Sequence, residues 1–132
     1  MRVNLQPAFV LHNRAYRDTS ALLDVFTAEF GRLSLVAKGA RRPSRRGGTA
    51  MALQSFVPLL VSFSGRSDLR SLVASESAGA VVLLRGERLY SGLYLNELLT
   101  RLLPRCDPQP VLFAAYAETL TGLTQPEAID GV

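Results

Sequence analysis

The chain has very little of the residue types that metal centres and many catalytic sites require. Its 132 residues include one His, one Cys and no Trp. A structural zinc site takes four ligands, mostly Cys and His, so this composition excludes one unless several chains share the ligands. The single Cys106 also excludes an internal disulfide. We interpret His12 and Cys106 as structural or surface residues and expect no bound metal.

The chain also lacks the short motifs of phosphate and acyl-transfer chemistry. The glycines between residues 39 and 48 are not followed by Gly-Lys-Ser/Thr, so this run is not a Walker loop. No G-x-S-x-G motif occurs, and the acidic residues are scattered singly. We therefore expect a non-enzymatic protein that works by binding, with no catalytic residues and no cofactor.

Long apolar runs are absent as well. The longest covers the seven residues from Ala78 to Leu84, whereas a spanning helix needs about 18 or more. The apolar stretch near the start, Ala8 to Leu11, is too short for the hydrophobic region of a signal peptide. These absences lead us to expect a cytoplasmic, soluble protein without a membrane partner.

Carboxylates are missing where the positive charges cluster. No Asp or Glu occurs from Phe30 through Ser67, and five cations fall within nine residues of that stretch: Lys38, Arg41, Arg42, Arg45 and Arg46. Residues 1–80 carry 11 basic against 5 acidic side chains, whereas residues 81–132 carry 4 against 6. Such asymmetry favours a polyanionic partner for the basic half. The alternative is a solvated charged loop.

The first part of the chain has the pattern of short strands. Alternating apolar residues bounded by turn residues predict five strands near residues 8–12, 20–27, 32–37, 56–64 and 69–75. Pro43 and three glycines predict a long loop over residues 38–50. A closed five-stranded barrel of the oligonucleotide-binding (OB) type over residues 1–79 removes all sheet edges. An open sheet covered by helices is the alternative.

The second part changes to a helical period, which gives an α+β fold class. Leucines and tyrosines recur at spacings of three and four over residues 86–103, before Pro104. Asp107 and Pro108 predict the start of a second helix that runs to about Thr121, with Gly122 as its end. Because residues 80–132 are apolar over more than a narrow stripe, we expect the barrel, a second copy of the chain or further helices to cover them.

A barrel of this type binds single strands between its first and last loops. We expect Arg14, Tyr16 and Arg17 in the loop between strands one and two, and Arg66 and Arg70 at the loop between strands four and five. Arginine binds phosphate oxygens through its forked donors, and an aromatic ring stacks on any base. Tyr16 as a packing anchor and the two later arginines as solvated residues are the alternatives.

Several stretches resemble one known family. Residues 8–12 read AFVLH, residues 19–27 read TSALLDVFT and residues 31–41 read GRLSLVAKGAR. This succession resembles the N-terminal domain of the RecO family of bacterial recombination mediators and DNA repair proteins. Residues 89–99, LYSGLYLNELL, resemble the start of that family's helical domain. The resemblance covers about residues 7–121.

The resemblance implies a protein that binds single- and double-stranded DNA and anneals complementary strands. It also implies the RecR protein, single-stranded DNA-binding protein and RecA recombinase as partners in loading RecA onto gapped DNA. DNA contact carries over to Lys38, Arg41 and Arg42, and charge alone adds Arg45 and Arg46. Family members are longer and often hold zinc through cysteines, so this chain is either a fragment or a short form. An adaptor that binds acidic peptides and an RNA-binding barrel are the alternative functions.

Overall fold

A computed structural model of the protein describes residues 2–40, 54–66, 69–79 and 84–123. The strands are β1 (Arg2–Tyr16), β2 (Ser20–Thr27), β3 (Gly31–Ala37), β4 (Leu59–Ser64) and β5 (Leu69–Ser77), and the helices are α1 (Gly86–Leu102) and α2 (Pro110–Leu123). The predicted α+β fold, a five-stranded OB-type barrel followed by a helical part, is confirmed. The alternative expectation of an open sheet covered by helices is wrong, because the strands close into a barrel.

The barrel has the strand order β1-β2-β3-β5-β4, and β4 returns to β1. The neighbouring strands are antiparallel except for β3 and β5, which pair in parallel from Ser34 with Leu69 to Val36 with Ser71. Inward-facing residues alternate along the strands, as closure requires. The buried interior includes Ala8, Val10, Leu23, Val25, Leu33, Leu35, Leu59, Val61 and Phe63. The parallel pairing of β3 with β5 places the start of β5 beside the end of β3.

The first strand is much longer than the predicted residues 8–12. Its first half pairs with β4 and its second half pairs with β2 up to Tyr16. The strand turns between these partners through irregularities at Val3/Gln6 and Val10/His12, with Leu5 at a φ of 51°. The prediction that Arg14 and Tyr16 lie in a loop is therefore wrong, because β1 continues to pair with β2 as far as Tyr16, opposite Ser20.

The two helices pack on the outer side of β1 and β2. Phe9 and Phe26 point out of the barrel and meet Phe113 and Tyr116 of α2, with ring centroids 5.0–6.1 Å apart. Leu11, Phe56, Leu84, Leu99, Leu103 and Leu120 complete this second buried cluster. Burial of large apolar side chains on both faces of β1 and β2 makes the barrel and the helices one packed unit.

A buried hydrogen-bond network connects β1, α1 and α2. Asn96 of α1 donates from Nδ2 to the Leu11 carbonyl oxygen at 3.3 Å, and its Oδ1 accepts from the Tyr116 hydroxyl at 2.5 Å. Burial raises the pKa of Tyr116 above its ordinary value, because the phenolate would lose its hydration. The network satisfies polar atoms that would otherwise be costly inside the cluster.

The helix predicted over residues 86–103 is confirmed as α1, whereas the bounds predicted for the second helix are wrong. Asp107 and Pro108 precede α2, which starts at Pro110 and continues through Gly122 to Leu123. The connection before α2 lies against β3 instead. The Cys106 amide donates to the Arg32 carbonyl oxygen at 2.9 Å, and Arg105 donates to the Ser34 hydroxyl. Because residues 105 and 106 make these contacts with β3, α2 begins only at Pro110.

The helices retain an exposed apolar side. Tyr90, Tyr94 and Leu102 of α1 are 74%, 66% and 73% exposed, and Val111 of α2 is 83% exposed. The barrel therefore covers only one side of the pair. Within the described part of the chain, neither helix is long and apolar enough to cross a membrane.

Candidate nucleic-acid interface

A cleft of about 180 Å³ lies where the end of β1, the end of β3 and the start of β5 meet. Its lining consists of cationic and aliphatic side chains with one tyrosine and one serine. The residues that line it are Tyr16, Arg17, Val36, Lys38, Leu69, Arg70 and Ser71. Three of these seven residues are cations, and none of the seven is acidic.

Backbone geometry brings the three cations together. The turn from β1 to β2 takes three residues, and Arg17 adopts a left-handed φ of 56° as β1 ends. Lys38 follows directly after β3 and is exposed. The parallel pairing of β5 with β3 places Arg70 opposite Leu35, two residues before the end of β3. Residues 17, 38 and 70 of the sequence therefore face one cleft.

Two of these cations lie against aromatic rings. The guanidinium carbon of Arg17 lies 5.2 Å from the centre of the Tyr16 ring, and that of Arg70 lies 5.6 Å from the centre of the Phe63 ring. A guanidinium over a ring face is attracted by the ring quadrupole. Each ring therefore helps to position its arginine at the cleft.

A second hollow of about 300 Å³ continues from the cleft along β5. It is lined by Ala37, Lys38, Leu72, Val73, Ala74 and Ser75. Lys38 lines both hollows. The two hollows together follow β5 from Leu69 to Ser75, with a cation where they meet.

The residues predicted for binding fall into three groups. Tyr16, Arg17, Lys38 and Arg70 are brought together at the cleft. Arg14 is exposed on β1 and Arg66 is exposed after β4, and neither lines the cleft. The remaining four, Arg41, Arg42, Arg45 and Arg46, lie outside the described residues. The assignment of all ten to DNA binding stays a prediction.

Three lining residues gave no signal in the sequence. Val36, Leu69 and Ser71 have the pattern of ordinary strand residues, and they reach the cleft through the pairing of Val36 with Ser71. That pairing joins strands that are more than thirty residues apart, so no local pattern predicts it.

Other charged groups belong to packing contacts. Arg32, at the start of β3, places Nη1 3.0 Å from Oδ2 of Asp24, and both side chains are about nine-tenths buried. His12 of β1 lies 3.2 Å from Glu97 of α1. A hydrogen bond from Arg101 is the main cause that lowers the pKa of Glu97 below its ordinary value.

The described residues do not assemble a metal site. Within the ranges that the structure describes, no group of three or more His, Cys, Asp and Glu side chains is placed to hold a metal ion. Cys106 is exposed and free, with a left-handed φ of 59°. The described residues instead form a cleft lined by cations and aliphatic side chains.

A closed five-stranded barrel of this order, with cations at the cleft beside its first turn, defines a protein of the oligonucleotide-binding barrel class. Comparison with known families narrows the class. The family described as "Recombination protein O N terminal" matches residues 1–80, and "Recombination protein O C terminal" matches residues 83–131. The chain belongs to the RecO family.

Relatives named DNA repair protein RecO are similar over nearly the whole chain. The protein of Nitrosococcus oceani is 55% identical over 123 residues, which cover 93% of this chain and 49% of the relative. Those of Ralstonia nicotianae and Methylococcus capsulatus are 49% and 51% identical, covering 97% and 98% of this chain and 46% and 52% of the relatives. The chain therefore spans about half the length of the curated relatives it matches.

Proposed function

We propose that this chain is the DNA-binding part of a recombination mediator in DNA repair, and that it anneals complementary strands without acting as an enzyme. The proposal rests on one observation: Arg17, Lys38 and Arg70 line the same cleft of an OB-type barrel. Its relatives are named DNA repair proteins, which supports the same role.

The ligand of the proposed site is the sugar-phosphate chain of DNA. Arginine and lysine attract phosphates, and arginine adds paired hydrogen bonds of defined geometry. The basic residues of segment 41–46 follow Lys38 after two intervening residues in the sequence, and this proposal counts them among the DNA-binding residues. Single-stranded and double-stranded DNA both carry the phosphates that such a surface attracts.

The partners of the proposed function come from the family resemblance. We include RecR protein, single-stranded DNA-binding protein and RecA recombinase, with RecA loading onto gapped DNA as the outcome. Because the chain spans about half of its relatives, the surface that each partner contacts is left open in this proposal. DNA binding by the barrel is the part that the cleft itself supports.

A salt-dependent titration with fluorescent single-stranded DNA tests the proposal. Each cation that displaces a counterion makes the slope of log affinity against log salt steeper by about 0.7. The five cations of residues 38–46 would together contribute about −3.5 to that slope. We expect the double variant R41Q/R42Q to flatten the slope by about 1.4 and to weaken binding.

The control for this experiment is R85Q/R101Q, which removes the same number of charges from exposed residues at the two ends of α1. We expect it to leave the slope unchanged. Equal effects of the two double variants would show that net charge alone attracts DNA, and the proposed interface would be rejected. Strand annealing is measured with the same proteins, as the rate at which complementary labelled strands form duplex.

A further inference from the structure

We infer that the cleft holds a single DNA strand by its phosphates and leaves the bases turned outward, free to pair. This inference rests on the proposed function and specifies how the strand lies in the site. It differs from the usual single-strand mode of OB barrels, in which successive bases stack on aromatic side chains. Three observations carry it: the inventory of aromatic rings, the state of the Tyr16 ring and the chemistry of the lining.

The chain has few aromatic rings to offer to a base. It contains six Phe, four Tyr and no Trp. Phe9, Phe26, Phe56 and Phe63 are buried, while Phe30 packs on Phe63 inside the barrel and Phe113 packs on Phe9 and Phe26. Tyr116 is also buried. The phenylalanines and this tyrosine are therefore committed to the two cores.

The remaining tyrosines are Tyr16 at the cleft and Tyr90 and Tyr94 on α1. Tyr90 and Tyr94 are exposed but do not line either hollow along β5. The sequence between residues 41 and 53, which follows Lys38, contains no aromatic residue, and neither does the sequence from 65 to 79. Tyr16 is thus the single aromatic residue among those lining the cleft.

The Tyr16 ring is already covered by a side chain of this protein. The Arg17 guanidinium carbon lies 5.2 Å from the ring centre, so a cation occupies one face of the ring. A base stacking directly on that face would have to displace the guanidinium and lose the cation–π attraction. The left-handed backbone at Arg17 keeps the two neighbouring side chains together at the turn. The Tyr16 ring therefore packs against the Arg17 guanidinium at this turn.

The rest of the lining suits a phosphate chain. Arg17, Lys38 and Arg70 supply charge, the Ser71 hydroxyl can donate a hydrogen bond, and Val36 and Leu69 form the aliphatic part. When cations bind the phosphates from one side of the strand, the sugars and bases face solvent on the other side. A strand held in this way can meet a complementary strand without first leaving the protein, which is what annealing requires.

The first test compares oligothymidine with an oligomer that has the same number of phosphates and no bases. We expect the full chain to bind both with similar dissociation constants and the same salt slope. Stacking on a ring would instead weaken the abasic oligomer by about 5- to 150-fold for each stacked base. Such a loss would overturn the inference.

The second test measures the bases directly. Permanganate oxidises thymine bases that are unstacked and open to solvent, so we expect bound oligothymidine to react as fast as the free strand. Protection of the thymines in a strand that is shown to be bound would overturn the inference and leave the proposed function standing. Failure of both oligomers to bind would overturn the proposed function, and the inference with it.

A matched pair of variants completes the experiment. We expect Y16L to weaken the binding of oligothymidine and of the abasic oligomer by the same factor, because the ring positions Arg17 and stacks on no base, whereas Y94L on α1 should weaken neither. If Y16L weakened the binding of oligothymidine and left the abasic oligomer bound as by the parent, Tyr16 would be shown to stack on a base and the inference would be overturned. Circular dichroism of both variants establishes that each is folded.

Discussion

The two ends of β3 place similar cations in opposite surroundings. At the start of the strand, Arg32 lies against Asp24 with both side chains about nine-tenths buried, and the connection between the helices covers it. At the other end, Lys38 is exposed and shares a cleft with Arg17 and Arg70. The comparison shows that the count of basic residues says little about binding, because an arginine paired with a buried carboxylate contributes to the fold.

The covered end depends on close contacts between backbone and side chains. Arg32 donates from Nε to the Leu103 carbonyl oxygen at 3.0 Å, so one guanidinium connects β3, β2 and the end of α1. Gly31, just before it, has a φ of +73°, and a Cβ there would lie 2.7 Å from the Asp107 nitrogen. The open end lacks such a cover among the described residues that line the cleft.

Removing the carboxylate at the covered end should have the largest effect. D24N leaves the Arg32 charge nearly buried without its partner, so we expect a loss of about 3–5 kcal/mol in the free energy of unfolding. Urea unfolding measures it, with E118Q on the exposed side of α2 as the control. A D24N midpoint equal to that of E118Q would contradict the role given to this pair. The DNA salt slope of folded D24N should equal that of the parent.

Closing the space at Gly31 should have the next largest effect. G31A combines an unfavourable left-handed backbone with a clash against the Asp107 backbone, and we expect it to cost about 1–3 kcal/mol or more. G86A is the matched control, because Gly86 has a φ of +58° and no atom within 4 Å of its added Cβ. The difference between the two variants isolates the clash, and equal losses would show that the connection can move away.

At the open end, changing a single cation should affect binding and leave stability almost unchanged. We expect K38Q to flatten the salt slope by about 0.7, which corresponds to about fivefold weaker binding near 0.1 M salt. Fluorescence anisotropy with single-stranded DNA measures both quantities. R101Q, which removes an exposed charge from α1, should bind like the parent. If K38Q lowered the unfolding midpoint as much as D24N does, the contrast between the two ends of β3 would fail.

The smallest effect is expected at the exposed contact between barrel and helix. The Arg101 hydrogen bond and the nearby His12 lower the pKa of Glu97 below its ordinary value of 4.5. The ionised carboxylate therefore adds stability above pH 4.5, and this contribution disappears as the pH falls through the lowered pKa. The stability of the parent relative to E97Q should decrease over that acidic range. A difference that stayed constant from neutral to acidic pH would contradict this assignment.

Much of the fold could be predicted because its signals are local. Alternating apolar residues marked strands at all five positions, and the spacing of leucines marked α1 from Gly86. The errors arose where distant contacts decide the outcome. Tyr16 lies in β1 because that strand spans two partners, and α2 starts at Pro110 because the preceding residues contact Arg32 and Ser34.

The candidate site was predictable in part. Tyr16, Arg17, Lys38 and Arg70 were chosen from charge and from their place near predicted turns, and the structure brings these four to one cleft. Arg14 and Arg66 were chosen for the same reasons but do not line it. Arg14 shares a face of β1 with Tyr16 but lies two residues further from the turn, and Arg66 lies outside the strands. Nearness to a turn in the sequence therefore does not by itself place a side chain in the cleft.

By itself, the sequence determined the number of strands, the change to helices after the barrel and the segment that carries the dense positive charge. Periodicity and composition are properties of neighbouring residues, so they can be recognised from the sequence alone. Only the tertiary structure decided which cation pairs with a buried carboxylate and which cations line the cleft. Arg32 meets Asp24 across the pairing of β2 and β3, whereas Arg17, Lys38 and Arg70 meet through closure of the barrel and the parallel pairing of β3 with β5.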